Sequence, residues 1–416
     1  MIIRDLIITP IAFSDPPLLN SDGVHEPLAL RTIVQLVVDG GIVGLGEGVG
    51  GSVVLDRITS AREAVIGRSV FDLIGIENAI SDVLLADEPG LAPRERRSVF
   101  SIIEVACHDV QGKIVGVPVS DLLGGAARDR VPYSAYLFYK WASHPNLVTG
   151  EPVEADEWGE ALDPAGIVRQ AHQLIDRYGF RSIKLKAGVF PPDQEIAAIR
   201  ALADAFPGYP LRIDPNGAWT VETSLRVADE LRDVLEYFED PTLTIDGMAA
   251  VAPGAGLPLA TNMCVVAFEH IPEAVKKGAV QIILSDHHYW GGLRHTRELG
   301  AICETFGIGM SMHSNSHLGI SLAAMTHVAA ASPWLSYACD THYPWNRGDD
   351  IIRPGVLEIV DGDIIVPTTP GLGIELDEDA LTRQHRVFLD AGRSRRDDTG
   401  YMRTITPTYD PTLPRF

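Results

Sequence analysis

From residue 131 onward the chain repeats one unit, and this rhythm limits the fold more than any other feature. Short apolar runs recur at 133–138, 182–188, 211–217, 237–241, 259–263, 281–288, 307–314 and 335–340. Between them lie amphipathic stretches such as AGIVRQAHQLIDRYG, TSLRVADELRDVL and GLRHTRELGAICETFG. Strands that alternate with helices need crossover connections, and these build a parallel sheet. Eight such units predict a closed α/β barrel, with an open doubly wound sheet as the alternative.

Residues 1–130 read differently. MIIRDLIITPIAF has an Asp within its apolar stretch and no basic start or small-residue cleavage site, so it reads as a strand and not a signal peptide. RTIVQLVVDGGIVGLGE (31–47) places two β-branched-rich runs around Asp39-Gly40-Gly41, a hairpin signal. Apolar positions at helical spacing follow in 56–86 and 97–124, so this part is expected to be α+β. A G-x-G-x-x-G occurs at Gly46, Gly48 and Gly51, but after a hairpin and outside any βαβ unit; no dinucleotide site is read from it. Beyond 365 there is no further strand–helix unit. That segment is expected to pack back onto the N-terminal region, giving divisions at 1–130, 131–365 and 366–416.

Charge narrows the possible partners. The chain has 34 basic and 56 acidic residues, a formal net of −22. Such a field repels phosphate backbones and anionic lipid, so neither nucleic acid nor a membrane is expected as a partner. Surface acid also serves simply to keep a protein soluble. An anionic substrate would need a local positive site. Cys107, Cys264, Cys303 and Cys339 form no C-x-x-C, which argues against a disulfide framework or a zinc-thiolate centre. No apolar run reaches the ~18 residues of a membrane span. A cytoplasmic protein is expected.

The strand ends carry the chemistry. Lys184 and Lys186, Asp214 with Asn216, Glu239, Asn262, Asp286, His313 with Asn315, and Asp340 with His342 close seven successive strands. One polar residue at a strand end usually caps the next helix. Seven in a row at one end of a barrel, where active sites lie, ask for more than capping. Asp214, Glu239 and Asn262 offer two carboxylates and an amide oxygen, a hard donor set that suits Mg²⁺; Glu239 alone could equally be a turn carboxylate before Pro241. His287 and His288, read as strand neighbours, would face opposite ways and could not chelate together. Lys184 and Lys186 share a strand face. If that face is buried, the two ammonium groups depress each other's pKa and one becomes a usable base. If it faces water, they are ordinary surface lysines.

The segments SIKLKAG, RIDPNGAW, YFEDP, ATNM, SDHHYWGGL, MHSNSHLGISLAAMTHVAAA and DTHYPW resemble the enolase superfamily, and within it the glucarate dehydratase group. The resemblance extends to NSDGVHEP, AYLF and TPGLGIELDED and covers almost the whole chain. It implies a modified TIM barrel, (β/α)7β, under an α+β capping domain built from 1–130 and completed by 366–416. It implies Mg²⁺ on Asp214, Glu239 and Asn262. Lys186 would be a base on one substrate face with Lys184 beside it, and His313 paired with Asp286 would be the acid/base on the other. Asn216 and Asn315 would help hold enolate or carboxylate oxygens, and His25, Tyr136 and His342 would contact substrate. The stretches 138–142 and 241–257 depart from the group's pattern and are expected near the distal end of the substrate.

The activity implied is Mg²⁺-dependent dehydration of an acid sugar, D-glucarate or a close aldarate, by a homo-oligomer. Two alternatives stand beside it. One is a dehydratase or epimerase of the same chemistry acting on another diacid or aldonate. The other is a non-catalytic relative that kept the fold.

Overall fold

A computed structural model describes residues 1–147 and 154–416. Seven parallel strands, Ala135–Phe138, Ile183–Lys186, Leu211–Asp214, Leu235–Glu239, Leu259–Thr261, Ile282–Ser285 and Gly309–Met312, pair in sequence order. The eighth segment, 335–340, closes the barrel by isolated parallel bridges, Leu335 to Met310 and Cys339 to Tyr133. Ser336 N donates to Met310 O at 2.9 Å, and Ser134 N to Cys339 O at 2.8 Å. The architecture is therefore (β/α)7β. Several strands stop short of their apolar runs, as Leu211–Asp214 does within 211–217, because the polar residues at the end already turn toward the next helix.

Local chemistry sets those helices. In the helix Pro164–Tyr178, Asp163 caps the Gly166 N–H, Pro164 occupies the first turn and Gly179 ends it at φ 71°. Thr220 and Thr244 cap Val221–Leu231 and Ile245–Ala255 in the same way. The last barrel helix, Gly319–Ala330, is buried along its whole length between the barrel and the N-terminal sheet, which explains why its sequence has no polar face.

Strands Ile3–Ser14, Leu28–Val38 and Val43–Val49 form an antiparallel sheet. Helices Ser52–Val65, Leu73–Asp87 and Pro93–Val115 follow it. Gly46 of the motif and its strand neighbour Gly44 have a packing role here. A Cβ at Gly44 would lie 2.1 Å from Ala106 O, and one at Gly46 2.1 Å from Ile102 O, so only glycine lets this strand lie on the Pro93–Val115 helix. From the same helix, Glu104 accepts the N–H groups of Leu293 and Arg294 at 2.9 and 3.0 Å, tying this layer to the start of a barrel helix.

The C-terminal helices Glu378–Ala391 and Asp398–Ile405 pack on the Ile3–Ser14 strand and on Gly23–Val24. The chain then returns to the barrel, where Thr220 N donates to Phe416 O at 2.7 Å. All four cysteines are buried free thiols. Among the described residues no helix is long and apolar enough to cross a membrane.

Candidate active site

Two-residue periodicity turns Lys184 and Lys186 to the barrel axis, where Lys184 is fully buried and Lys186 nearly so. Lys184 Nζ lies 2.6 Å from Glu239 Oε1, 2.7 Å from Asp340 Oδ2 and 3.4 Å from Asp214 Oδ2. It also sits 4.6 Å from the Tyr136 ring centroid. The expected mutual depression of the two lysines does not hold for Lys184. Burial pushes its pKa down, but Asp340 and Glu239 more than offset this and hold it well above the usual lysine range. Lys184 is a fixed cation. The expectation counted the ammonium groups but gave Asp340 no part.

Lys186 Nζ donates to Asp214 Oδ2 at 2.6 Å and to Asn216 Oδ1 at 2.8 Å. Burial raises the Asp214 carboxyl, yet Lys186 and Lys184 together keep it well below the carboxylate range. Asn216 has a left-handed backbone, φ 56°, a conformation asparagine tolerates better than most residues.

Lys184 Nζ stands between Asp214 and Glu239, and Asn262 lies against Glu239. Asn262 Nδ2 lies 2.6 Å from Glu239 Oε1, and Asp240 fixes the turn by accepting from Asn262 N at 2.8 Å and Thr261 Oγ1 at 2.5 Å. Burial pushes Asp240 up to about 7. Burial, with the Asp214 charge, raises the Glu239 carboxyl well above its usual range, and Glu239 Oε2 is buried with no hydrogen-bond partner among the described residues. A buried carboxylate oxygen without a partner is costly. With two carboxylates and an amide that can present its oxygen, the residues present fit a hard divalent cation.

The other wall is built on Asp286, which caps the short helix His287–Trp290. His313 Nδ1 lies 3.0 Å from Asp286 Oδ2, and Asn315 Nδ2 donates to the same oxygen at 3.0 Å. The second oxygen lies 2.7 Å from His288 Nδ1. Although burial opposes it, His288 and His313 hold the Asp286 carboxyl well below its usual range. Arg31 Nη2 lies 2.8 Å from His288 Nε2. A guanidinium only donates, so this nitrogen accepts and the His288 proton sits on Nδ1, facing Asp286. The same logic places the His313 proton on Nδ1, leaving Nε2 to accept. His287 and His288 do not face opposite ways as expected. The strand ends at Ser285, the chain turns helical, and the two rings lie 4.0 Å apart. Together with Asp286 they come within metal-binding reach of one another, but both His288 nitrogens are already used.

Above these groups opens a cavity of about 340 Å³, lined by His25, Tyr136, Phe138, Lys186, Asn216, His313, Asn315, His342 and Arg396. Lys184, Asp214, Glu239, Asn262 and Asp286 lie outside that lining. His342 packs edge-on against Tyr136, ring centroids 4.8 Å apart, and burial beside His25 and His317 keeps its pKa well below the usual histidine range. His25 Nδ1 lies 3.2 Å from Asp15 Oδ2, and Arg396 Nη1 reaches that oxygen at 2.8 Å. Burial would raise Asp15; His25 and Arg396 hold it at about 2.

Asn216 and Asn315 are engaged by protein neighbours. Asn216 Nδ2 donates to Ser21 Oγ at 3.0 Å, and Asn315 Oδ1 accepts from Arg31 Nη1 at 3.0 Å. Phe138 lines the cavity, whereas the stretch 241–257 contributes nothing to its lining, because it folds into the outer helix Ile245–Ala255. Sequence reasoning gave no role to Asp340, Arg31, Asp15 or Arg396. Asp340 at least ended a strand run like the others. Arg396 lay in RSRRDD near the C-terminus, where no periodicity marked it.

Comparison with known proteins gives a consistent picture. Residues 166–380 match the enolase C-terminal domain-like family, and residues 24–124 match the mandelate racemase/muconate lactonizing enzyme N-terminal domain. The chain is similar to a probable glucarate dehydratase of Streptomyces coelicolor, 53% identical over 99% of this chain and 100% of that protein. It superposes with a TM-score of 0.96 on an enolase of Mycobacterium smegmatis complexed with tartrate, at 57% identity over 100% of this chain and 98% of that one. An enolase of Pseudomonas fluorescens with bound magnesium, potassium and tartrate gives a TM-score of 0.95 at 50% identity, over 100% and 99% of the two chains.

Proposed function

This chain belongs to the mandelate racemase/muconate lactonizing enzyme branch of the enolase superfamily, and we propose that it is a Mg²⁺-dependent dehydratase of an acid sugar, D-glucarate or a close aldarate. The observation that carries this reading is the cavity itself. Two proton-transfer groups, Lys186 and His313, open into one space beside a cluster of oxygen donors. Tartrate, the ligand of the two solved relatives, is itself a diacid and supports an aldarate substrate. Lys186 and Arg396 bring cations to the cavity wall, Arg396 paired there with Asp15 at 2.8 Å and with Asp398 at 2.7 Å.

Removing a proton next to a carboxylate places a second negative charge on the enediolate that forms from it. A Mg²⁺ held by Asp214, Glu239 and Asn262 would supply Lewis-acid stabilisation of that charge. Lys184, held cationic by its three carboxylates, adds a fixed positive charge close by. Lys186 takes the α-proton from one face. His313 takes it from the other at Nε2, its orientation set by Asp286. The electron pair left on carbon expels the β-hydroxyl, which leaves as water with a proton from His313 Nε2: the α-proton itself where His313 is the base, and one already carried on Nε2, with the imidazole starting doubly protonated, where Lys186 is the base. The enol product tautomerises to a keto-deoxy aldarate. Nothing in the scheme calls for nucleic acid or a membrane, and we place the enzyme in the cytoplasm as a homo-oligomer.

Two bases in one cavity also favour epimerisation at the same carbon. Incubating the enzyme with aldarates and aldonates, with and without Mg²⁺, in heavy water separates the readings. Metal-dependent loss of water supports the dehydratase. Deuterium uptake without loss of water assigns an epimerase, and no reaction with any acid sugar rejects both.

A further inference from the structure

The amide that receives Lys186 is held by a chain of contacts that begins at the C-terminal tail. Asn216 Nδ2 donates to the hydroxyl of Ser21, a fully buried residue in the tight turn between Leu19–Asn20 and Gly23–Val24. The other end of the amide, Oδ1, accepts from Lys186 Nζ at 2.8 Å. The Ser21 carbonyl accepts from Tyr409 Oη at 2.9 Å and from Arg415 Nη2 at 2.7 Å. Arg415 also donates to Tyr409 Oη at 2.8 Å and, through Nη1, to Gly188 O at 3.2 Å. Its backbone N–H donates to Ala218 O at 2.7 Å. Gly188 follows the strand that carries Lys186, and Ala218 follows the strand that ends at Asp214 and the turn that holds Asn216. One arginine thus ties together the two loops and the turn that bracket Lys186.

We propose that Arg415 and Tyr409 are positioning residues for Lys186, acting through Ser21 and Asn216 to keep the Asn216 oxygen on the lysine. Neither touches the catalytic groups directly. His313 is held independently, by Asp286, so loss of the clamp falls on one face of the substrate. This rests on the reading of Lys186 as one of two bases.

The test uses Arg415→Ala, Arg415→Lys, Tyr409→Phe and Ser21→Ala in the full chain. Wild-type deuterium uptake is first assigned for each epimeric substrate to Lys186 or His313 by the Lys186→Ala and His313→Ala variants. Arg415→Ala and Ser21→Ala are expected to slow Lys186-dependent uptake by about 10- to 100-fold, as a misplaced group does. His313-dependent uptake is expected to change less than about twofold, and Arg415→Lys to recover most of the loss, since an ammonium can still reach the Ser21 carbonyl. Tyr409→Phe removes one of the two donors and is expected to fall between Arg415→Ala and the wild type. Crystal structures of Ser21→Ala and Arg415→Ala are expected to show Asn216 Oδ1 beyond about 3.5 Å from Lys186 Nζ. An Asn216 amide left in place in both variants, or equal loss of uptake on both faces, overturns the proposal. Ser21→Ala leaves every tail contact intact and serves if Arg415→Ala does not fold. No uptake by the wild-type enzyme from any acid sugar refutes the proposed function, and the crystal structures then decide the clamp by themselves.

Discussion

Replacing Arg31 by Met isolates one charge inside the protein. Arg31 comes from the N-terminal sheet and is buried with its partner Glu47, Nε to Oε1 at 2.9 Å. Glu47 also accepts the N–H groups of Leu318 at 2.9 Å and Ser321 at 2.8 Å. Breaking a buried pair from one side costs about 3–5 kcal/mol. At about 2.1 cal/mol/K of unfolding entropy per residue, 416 residues melting as one unit give about 0.87 kcal/mol/K. The midpoint should therefore fall by about 3–6 °C.

The pH dependence is the sharper test. In the wild type, burial raises the Glu47 carboxyl, but Arg31, His317 and the two N–H groups bring it below the ordinary value. Its contribution is present above the unfolded pKa and lost only as pH falls through the folded one. Without Arg31, burial wins. Burial drives His317 down to about 4, so it is neutral at pH 7 and no substitute for the guanidinium. The Glu47 pKa then lies above its unfolded value, and the variant gains relative stability on acidification. Thermal melts monitored by circular dichroism from about pH 8 to about pH 5.5 should show the gap to wild type narrowing. A loss below about 1 kcal/mol, or a gap that widens as pH falls, would refute this account of the Arg31–Glu47 pair.

Asn262→Leu removes one of three oxygen donors from the proposed metal site. The rise in melting temperature on adding Mg²⁺ should shrink along with turnover, and an unchanged Mg²⁺ titration would count against the ligand set. Asp340→Asn takes one carboxylate from Lys184 and should lower kcat by about 10²-fold or more, with a smaller change in KM, in steady-state assays; unchanged kcat would remove Lys184's fixed charge from the mechanism. Burial pushes Glu195 up from 4.5 to about 7, against the N–H groups of Gly188, Phe190 and Val189 that it accepts. Wild-type stability should therefore fall as pH rises across that window, by about 3 kcal/mol in total. Glu195→Gln should flatten the slope in melts at about pH 5 and about pH 8, and an equally steep variant would place its origin elsewhere.

The barrel and its floor were legible in the sequence because both obey short-range rules. A strand alternates its faces, so Lys184 and Lys186 had to point the same way. The strand–helix rhythm gathers the ends of successive strands at one mouth, so Asp214, Glu239, Asn262, Asp286 and His313 had to converge there. Periodicity could not supply the groups that tune them. Asp340 reverses the expected behaviour of Lys184 only once the closing segment lies beside the second strand's contents. Arg31 reaches Asn315 across 284 positions of sequence, and Arg415 reaches Ser21 across 394. Such contacts depend on how the outer layer and the tail dock, which leaves no local pattern. A pKa depends on every charge within a few ångströms, whatever its distance along the chain, and so the electrostatics of this site were decided by the tertiary fold alone.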